Sequence, residues 1–192
     1  MRAADADGMS SLNVNSPSMN GPAAATTGAG YEVRAIEPAV LRELRARDDA
    51  GVAREAVVDA EGGAPLRCCL RHSEAGERLL LVSYAPLRRW AAATGADPGA
   101  YDECGPVFVH AEECAGPAPG PGYPAAMHGP LRVLRAYDAR GHILGGTLLE
   151  VPRERATEVD RALREVFADP AVAVVHVRAV LFGCFMAEVR RR

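Results

Sequence analysis

The chain has 192 residues, 48% of them apolar and 24% charged, with a formal net charge of −3. That length suits one domain with a substantial core, and the near-neutral balance carries no footprint for nucleic acid or an anionic membrane surface. All 22 cationic side chains are arginine, which excludes Schiff-base catalysis, a lysine-anchored pyridoxal phosphate and a phosphate-loop lysine, and no apolar run is long enough to span a bilayer.

Residues 1–30 are built from Ala, Asp, Ser, Asn, Gly, Pro and Thr with almost nothing large and apolar. Such a composition does not offset the entropy of ordering it, so a disordered leader is expected, followed by a single domain over 31–192. Asp5 and Asp7 stand where a secretory signal would be basic. The cysteines are Cys68, Cys69, Cys104, Cys114 and Cys184, an odd count with one adjacent pair. This argues against a disulfide framework and for reduced thiols in the cytoplasm.

Period-two alternation predicts a strand over 31–36, and Pro38 opens a helix striped by Val40, Leu41 and Leu44. Strands are expected over 55–60, 66–72 and 78–84, the last buried on both faces through its Leu79-Leu80-Leu81-Val82 run. A short helical segment surrounds Trp90, and residues 106–111 read as a further strand. Residues 115–130 form a long Gly/Pro loop, a type that often covers a functional face. Residues 131–138 and 142–151 read as a hairpin, and Ala156, Val159, Leu163, Val166 and Phe167 mark the clearest helix. Strands at 172–178 and 184–190 close the chain. The fold class is α+β, a mostly antiparallel sheet with two main helices.

Strand alternation sorts the chemistry by face. If 66–72 is one strand, Cys68 shares the apolar face of Leu66 and Leu70, while Cys69 lies between Arg67 and Arg71. Flanking cations favour the thiolate, so Cys69 is the candidate reactive thiol, although both thiols also suit plain packing. His110 falls on the Phe108 face, Arg135 and Tyr137 on the Leu131 and Val133 face, and His176 and Arg178 on the Val172 and Val174 face. Converging, these would line a pocket for a small anion, because arginine forks match carboxylate and phosphate. Edge ion pairs with Asp138, Glu112 or Glu188 are the structural alternative. His110 or His176 would serve as the proton-transfer group, and Cys184, after Gly183, is a second thiol candidate.

His110 and Cys114 stand four apart with Cys104 nearby, but no Cys-x-x-Cys or His-Glu-x-x-His accompanies them. No metal site and no cofactor are therefore expected.

Five ordered segments carry a resemblance: 65–71 (PLRCCLR), 76–84 (GERLLLVSY), 105–111 (GPVFVHA), 134–138 (LRAYD) and 175–178 (VHVR), the last followed by Gly183-Cys184-Phe185. Together they resemble domain of unknown function 1203, over roughly 31–190. The resemblance implies a small, single-domain cytoplasmic bacterial protein and brings no reaction or catalytic residue. The expectation from the residues is a cofactor-independent, enzyme-like protein. Arg67, Arg71, Arg135, Tyr137 and Arg178 would bind a small anionic metabolite, and Cys69, His110 and His176 would do the chemistry. The alternative is a non-catalytic module binding a small ligand or a protein through the same face.

Overall fold

The structure, a computed structural model, describes residues 26–28 and 30–192. Of the expected leader, residues 1–25 and Ala29 lie outside the described residues, while Thr26–Gly28 forms a first strand, β1, paired with Tyr31–Arg34 (β2).

Two sheets organise the chain. The first runs β1-β2-β11-β10-β8-β9 and is antiparallel throughout. Its later strands are Leu131–Tyr137 (β8), Ile143–Glu150 (β9), Val174–Ala179 (β10) and Phe185–Arg191 (β11). The second runs β3-β6-β7-β4-β5, from Val57–Asp59 (β3), Pro65–Leu66 (β4), Arg71–His72 (β5), Glu77–Tyr84 (β6) and Gly105–His110 (β7). Among the described residues only the β4–β7 pairing is parallel.

The fold is α+β, with three α-helices among the described residues rather than two main ones. Pro38–Ala46 (α1) starts at a proline whose fixed φ suits a first turn, and buries Leu41 and Leu44 against the second sheet's core. Pro86–Thr94 (α2) places Leu87, Trp90 and Ala91 on one face, and Gly95 at φ 74° ends it. That spacing makes the Trp90 segment a full helix, packed with Tyr137 and Val174. Glu158–Val166 (α3) sets Val159 and Leu163, with Phe167 beyond its end, against Leu134, Val175, Val177 and Val189. Each such fully buried side chain stabilises the fold by about 1.5–3 kcal/mol.

The expected strand over 66–72 is broken. Leu66 and Arg71 face each other across an antiparallel pair, and residues 67–70 turn between them. The N–H of Leu70 donates to the Leu66 carbonyl at 2.9 Å, and Leu70 takes φ 53°. It is the one described non-glycine residue with positive φ, a conformation that neighbours must hold in place. The apolar alternation of Leu66, Cys68 and Leu70 mimics a strand because all three point inward from a turn.

The first sheet has an apolar face under α3 and a polar one opposite. In register across β8, β10, β11 and β2 lie Arg135, His176, Glu188 and Arg34. This polar face meets the second sheet and α2, where Tyr84 packs edge-on against Phe185 at 5.5 Å.

Candidate functional site

The sequence-predicted residues separate into two clusters and one bridge. The turn at 67–70 carries Cys68 and Cys69 to the end of β7, where His110 waits 42 residues further along the chain. Cys68 Sγ lies 3.3 Å from His110 Nδ1, and Cys69 Sγ lies 3.8 Å from the same nitrogen and 3.9 Å from Cys68 Sγ. Cys114, from the start of the Gly/Pro loop, completes the group. The donor atoms of Cys68, Cys69, His110 and Cys114 all lie within 4.8 Å of one another. Among the described residues this is the group of three or more such side chains close enough to share one ion.

The imidazole is oriented from behind. Glu77 accepts from Arg71 Nη2 at 2.6 Å and Nη1 at 3.0 Å, and Oε1 of Glu77 lies 3.3 Å from His110 Nε2. Arg71 Nη2 also lies 3.3 Å from Nε2. An ionised carboxylate only accepts and a guanidinium only donates, and the arginine already donates to Glu77. Nη2 has a second N–H, so Nε2 either accepts from Arg71 or carries the ring proton and donates to Glu77; in the second tautomer Nδ1 turns its lone pair to the sulfurs. Hydrogen bonding from Arg71 holds the Glu77 carboxyl at about 2.

Sulfur proximity governs the thiols. Donation towards Cys114 pushes Cys68 far above the ordinary thiol range and Cys69 up to about 11, with burial acting in the same direction. The S–H groups of Cys68 and Cys69, helped by the backbone N–H of Gly116 and by His110, hold Cys114 well below that range against its own burial. The expectation that arginines would activate Cys69 is thus corrected. Arg67 points away, Arg71 is balanced by Glu77, and Cys69 is 6% exposed instead of lying on an open cationic face.

Arg67 is the bridge. Its buried guanidinium donates to the Phe185 carbonyl at 2.8 Å and to the Pro65 carbonyl, and contacts Met186 Sδ at 3.5 Å. It joins the second sheet's turn to β11 and offers no exposed fork.

The remaining expected residues form the second cluster. Arg135 and Arg178 both reach Glu103, each at 2.8 Å, and Arg178 Nε donates to the Gly183 carbonyl at 3.0 Å. Tyr137 is buried with its ring edge-on to His176 at 4.8 Å, and Phe185 stands edge-on to His176 at 5.2 Å. Burial lowers His176 below its ordinary value; its Nε2 lies 3.7 Å from Glu188 Oε2 and has no hydrogen-bond partner among the described residues. Burial opposes the charge on Glu188, yet His176 and Arg190, the latter at 2.6 Å, hold its carboxyl below the usual range. Cys184 borders a cavity of about 340 Å³ here, beside Arg178 and Glu103. His110 therefore works with Cys69 and Arg71, while His176 belongs with Arg135, Tyr137 and Arg178.

A larger groove, of about 670 Å³, opens beside the thiol cluster. One wall is Cys69, Leu70 and Arg71, and another is the Gly/Pro loop from Ala115 to Ala126. The loop's far end is anchored: Tyr123 and Met127 are buried, and the Tyr123 N–H donates to Asp160 Oδ1 at 2.7 Å. Gly122, at φ 70°, lies so close to that carboxylate that a Cβ would strike it.

Residues 63–191 match the family described as "Protein of unknown function (DUF1203)". The chain belongs to this family. Comparison with curated proteins and with solved structures finds no match. The DUF1203 match takes in all four clustered donors, Arg71, Glu77 and the whole Gly/Pro loop. It begins after β2, α1 and β3, so the part of the sequence resemblance before residue 63 lies outside it.

Sequence reasoning passed over Glu77 and Glu103, and weighed Cys114 only as a possible metal ligand with His110 before setting the metal aside. His110 and Cys114 were visible four apart, but the turn that returns the adjacent cysteine pair to them carries no glycine or proline to announce it.

Proposed function

We propose that the protein is a cytoplasmic binding module for a small, largely apolar molecule with a single acidic group, held in the groove between residues 69–71 and the Gly/Pro loop. The observation that carries this is the groove itself. Its volume falls within the roughly 300–1,000 Å³ usual for small-molecule sites. Its walls are mainly alanine and proline with Leu70; its cation is Arg71, paired with Glu77, and its carboxylate is Asp160, which accepts from the Tyr31 hydroxyl and the Tyr123 N–H.

This narrows the broader anion reading. Arg67 is turned to backbone carbonyls, and Arg135 and Arg178 share Glu103, so a multiply charged metabolite meets no matching set of free guanidinium groups. Binding is favoured over turnover because Cys69, the thiol on the groove wall, is pushed up to about 11 and is a poor nucleophile at neutral pH, while Cys114, held well below the thiol range, is not among the groove's lining residues.

Octanoate, an apolar chain with one carboxylate, is the probe. It should raise the melting temperature and displace a groove-bound fluorescent naphthalene sulfonate. Succinate, with two charges and little apolar surface, should do neither. Ala126 is exposed on the groove wall, so Ala126→Trp should fill the space, leave the circular dichroism unchanged and weaken octanoate about tenfold, or 1.4 kcal/mol. Equal stabilisation by succinate, or full octanoate binding in the tryptophan variant, would overturn the reading.

A further inference from the structure

We infer that Cys68, Cys69, His110 and Cys114 form a closed, four-ligand zinc site that fastens the start of the Gly/Pro loop to the turn at 67–70. The inference stands on the donor geometry alone and does not depend on what the neighbouring groove binds.

Tetrahedral zinc with Zn–S near 2.3 Å and Zn–N near 2.0–2.1 Å sets S···S edges of about 3.8 Å and S···N edges of about 3.6 Å. The Cys68–Cys69 separation is 3.9 Å, and His110 Nδ1 lies 3.3 and 3.8 Å from the two sulfurs. With Cys114 the whole set lies within 4.8 Å, so all four donors reach one centre with only small side-chain shifts. Adjacent cysteines rarely converge, because neighbouring side chains on an extended chain point to opposite faces. Here the tight turn, with Leu70 held at φ 53°, brings both sulfurs to one side.

The surroundings match what metal ligands need. An imidazole that binds through Nδ1 must keep its proton on Nε2, and Glu77 Oε1, itself held by Arg71, is placed to accept it. Such carboxylate–histidine pairs fix the tautomer and ring orientation of metal-bound histidines. The sulfurs receive backbone donors: the N–H of His110 points at Cys68 Sγ at 3.3 Å, and the N–H of Gly116 serves Cys114. Three thiolates and a neutral imidazole suit zinc, and four protein ligands leave no open position, so the site is structural rather than catalytic. Zinc entry releases to solvent the S–H protons still present; no electron moves and no bond to carbon changes. The site departs from the sequence expectation of no metal, since only the pair at 110 and 114 has recognisable spacing.

The test uses the full chain purified with reductant. Elemental analysis should find one zinc per chain, removed by a strong chelator and restored by zinc. Cobalt(II) added to the apoprotein should give the intense visible bands and sulfur charge-transfer absorption of a tetrahedral thiolate site. Cys114→Ser and His110→Ala should lose tight binding, while Cys104→Ser and Cys184→Ser should keep the stoichiometry. Glu77→Gln, acting through His110, should lower affinity 10- to 100-fold while keeping the cobalt spectrum. Should a ligand variant fail to fold, the parent's cobalt spectrum still decides. An octahedral spectrum, no metal uptake by the reduced apoprotein, or unchanged binding in Cys114→Ser overturns the site. Octanoate binding lost while zinc binding persists would sink the groove reading alone.

Discussion

The two polar clusters use similar residues but close their charges differently. Between the sheets every acid has a guanidinium: Glu103 holds Arg135 and Arg178, and Glu188 holds Arg190 beside His176. That layer's charges are paired by its own members, while His176 Nε2 has no hydrogen-bond partner among the described residues. In the thiol corner the balanced pair, Arg71 with Glu77, stands one step behind, and what faces inward is three sulfurs and an imidazole nitrogen. The count of arginines therefore misleads as a guide to where a ligand goes. A converging set of ligand atoms is the better guide, and among the described residues the thiol corner has one.

Arg67 offers the severest way to break this comparison. At 3% exposure it ties Pro65, Phe185 and Met186 together across the two sheets, and burial pulls its guanidinium down only to about 10, so it stays charged. Arg67→Ala should cost about 3 kcal/mol or more in urea unfolding, from buried carbonyls left without donors and from the cavity left behind. Arg67→Met should recover part of the packing loss and none of the hydrogen bonding. A cost below about 1 kcal/mol for the alanine variant would show the arginine is not structural. It would then return to the list of ligand-binding candidates.

Much of the frame was legible because a strand such as Leu131–Tyr137 buries alternate residues against a core, while in Glu77–Tyr84 the Leu79–Val82 run marks the strand but not its faces: Leu81 is 46% exposed, so the strand is not buried on both. The failure at 66–72 has a physical source. A turn that points Cys68, Cys69 and Leu70 into the interior leaves an apolar pattern, and nothing local records that Leu70 sits at positive φ. Arg67 defeated face alternation similarly, since a long side chain can leave its own face to reach carbonyls. The partners Glu77 and Glu103, and the convergence of Cys114 on the cysteine pair, were illegible for a different reason. Their roles depend on which strands become neighbours, and β7 pairs with both β6 and β4 in a way no local window encodes.

Glu103 sharpens the contrast at a smaller scale. Its side chain is 46% exposed, so Glu103→Ala should cost about 1 kcal/mol or less. The larger consequence is chemical. With the carboxylate gone, Arg135 and Arg178 are left as an uncompensated pair, the geometry that suits an oxyanion. Sulfate at moderate concentration should then raise the variant's melting temperature while leaving the parent unchanged. Matching responses in parent and variant would mean that Glu103 does not neutralise the pair, and that the layer between the sheets already accepts anions.

The smallest expected effect lies behind the thiol corner, in the acid limb of the stability curve. Folding lowers the Glu77 carboxyl from 4.5 to about 2, chiefly through Arg71. A group depressed in the folded state favours folding when ionised in both states, so its contribution is complete above the unfolded value. It falls away as pH drops from about 4.5 towards 2, and vanishes below both values. Other depressed carboxyls act in the same range. Asp48 is one: its burial is outweighed by the N–H groups of Val52 and Ser83 and by Arg54. The parent curve alone is therefore uninformative, and the quantity to measure is the difference between the parent and Glu77→Gln. The gap between their urea midpoints should be widest above pH 5, narrow through the window and close near pH 2. Solvent reaches the pair, so the gap itself should be modest. A gap that does not change with pH would mean that Arg71 and Glu77 are unpaired in solution. The carboxylate would then no longer be placed to accept a proton from His110 Nε2, and the tautomer that turns the Nδ1 lone pair to the three sulfurs would lose its support.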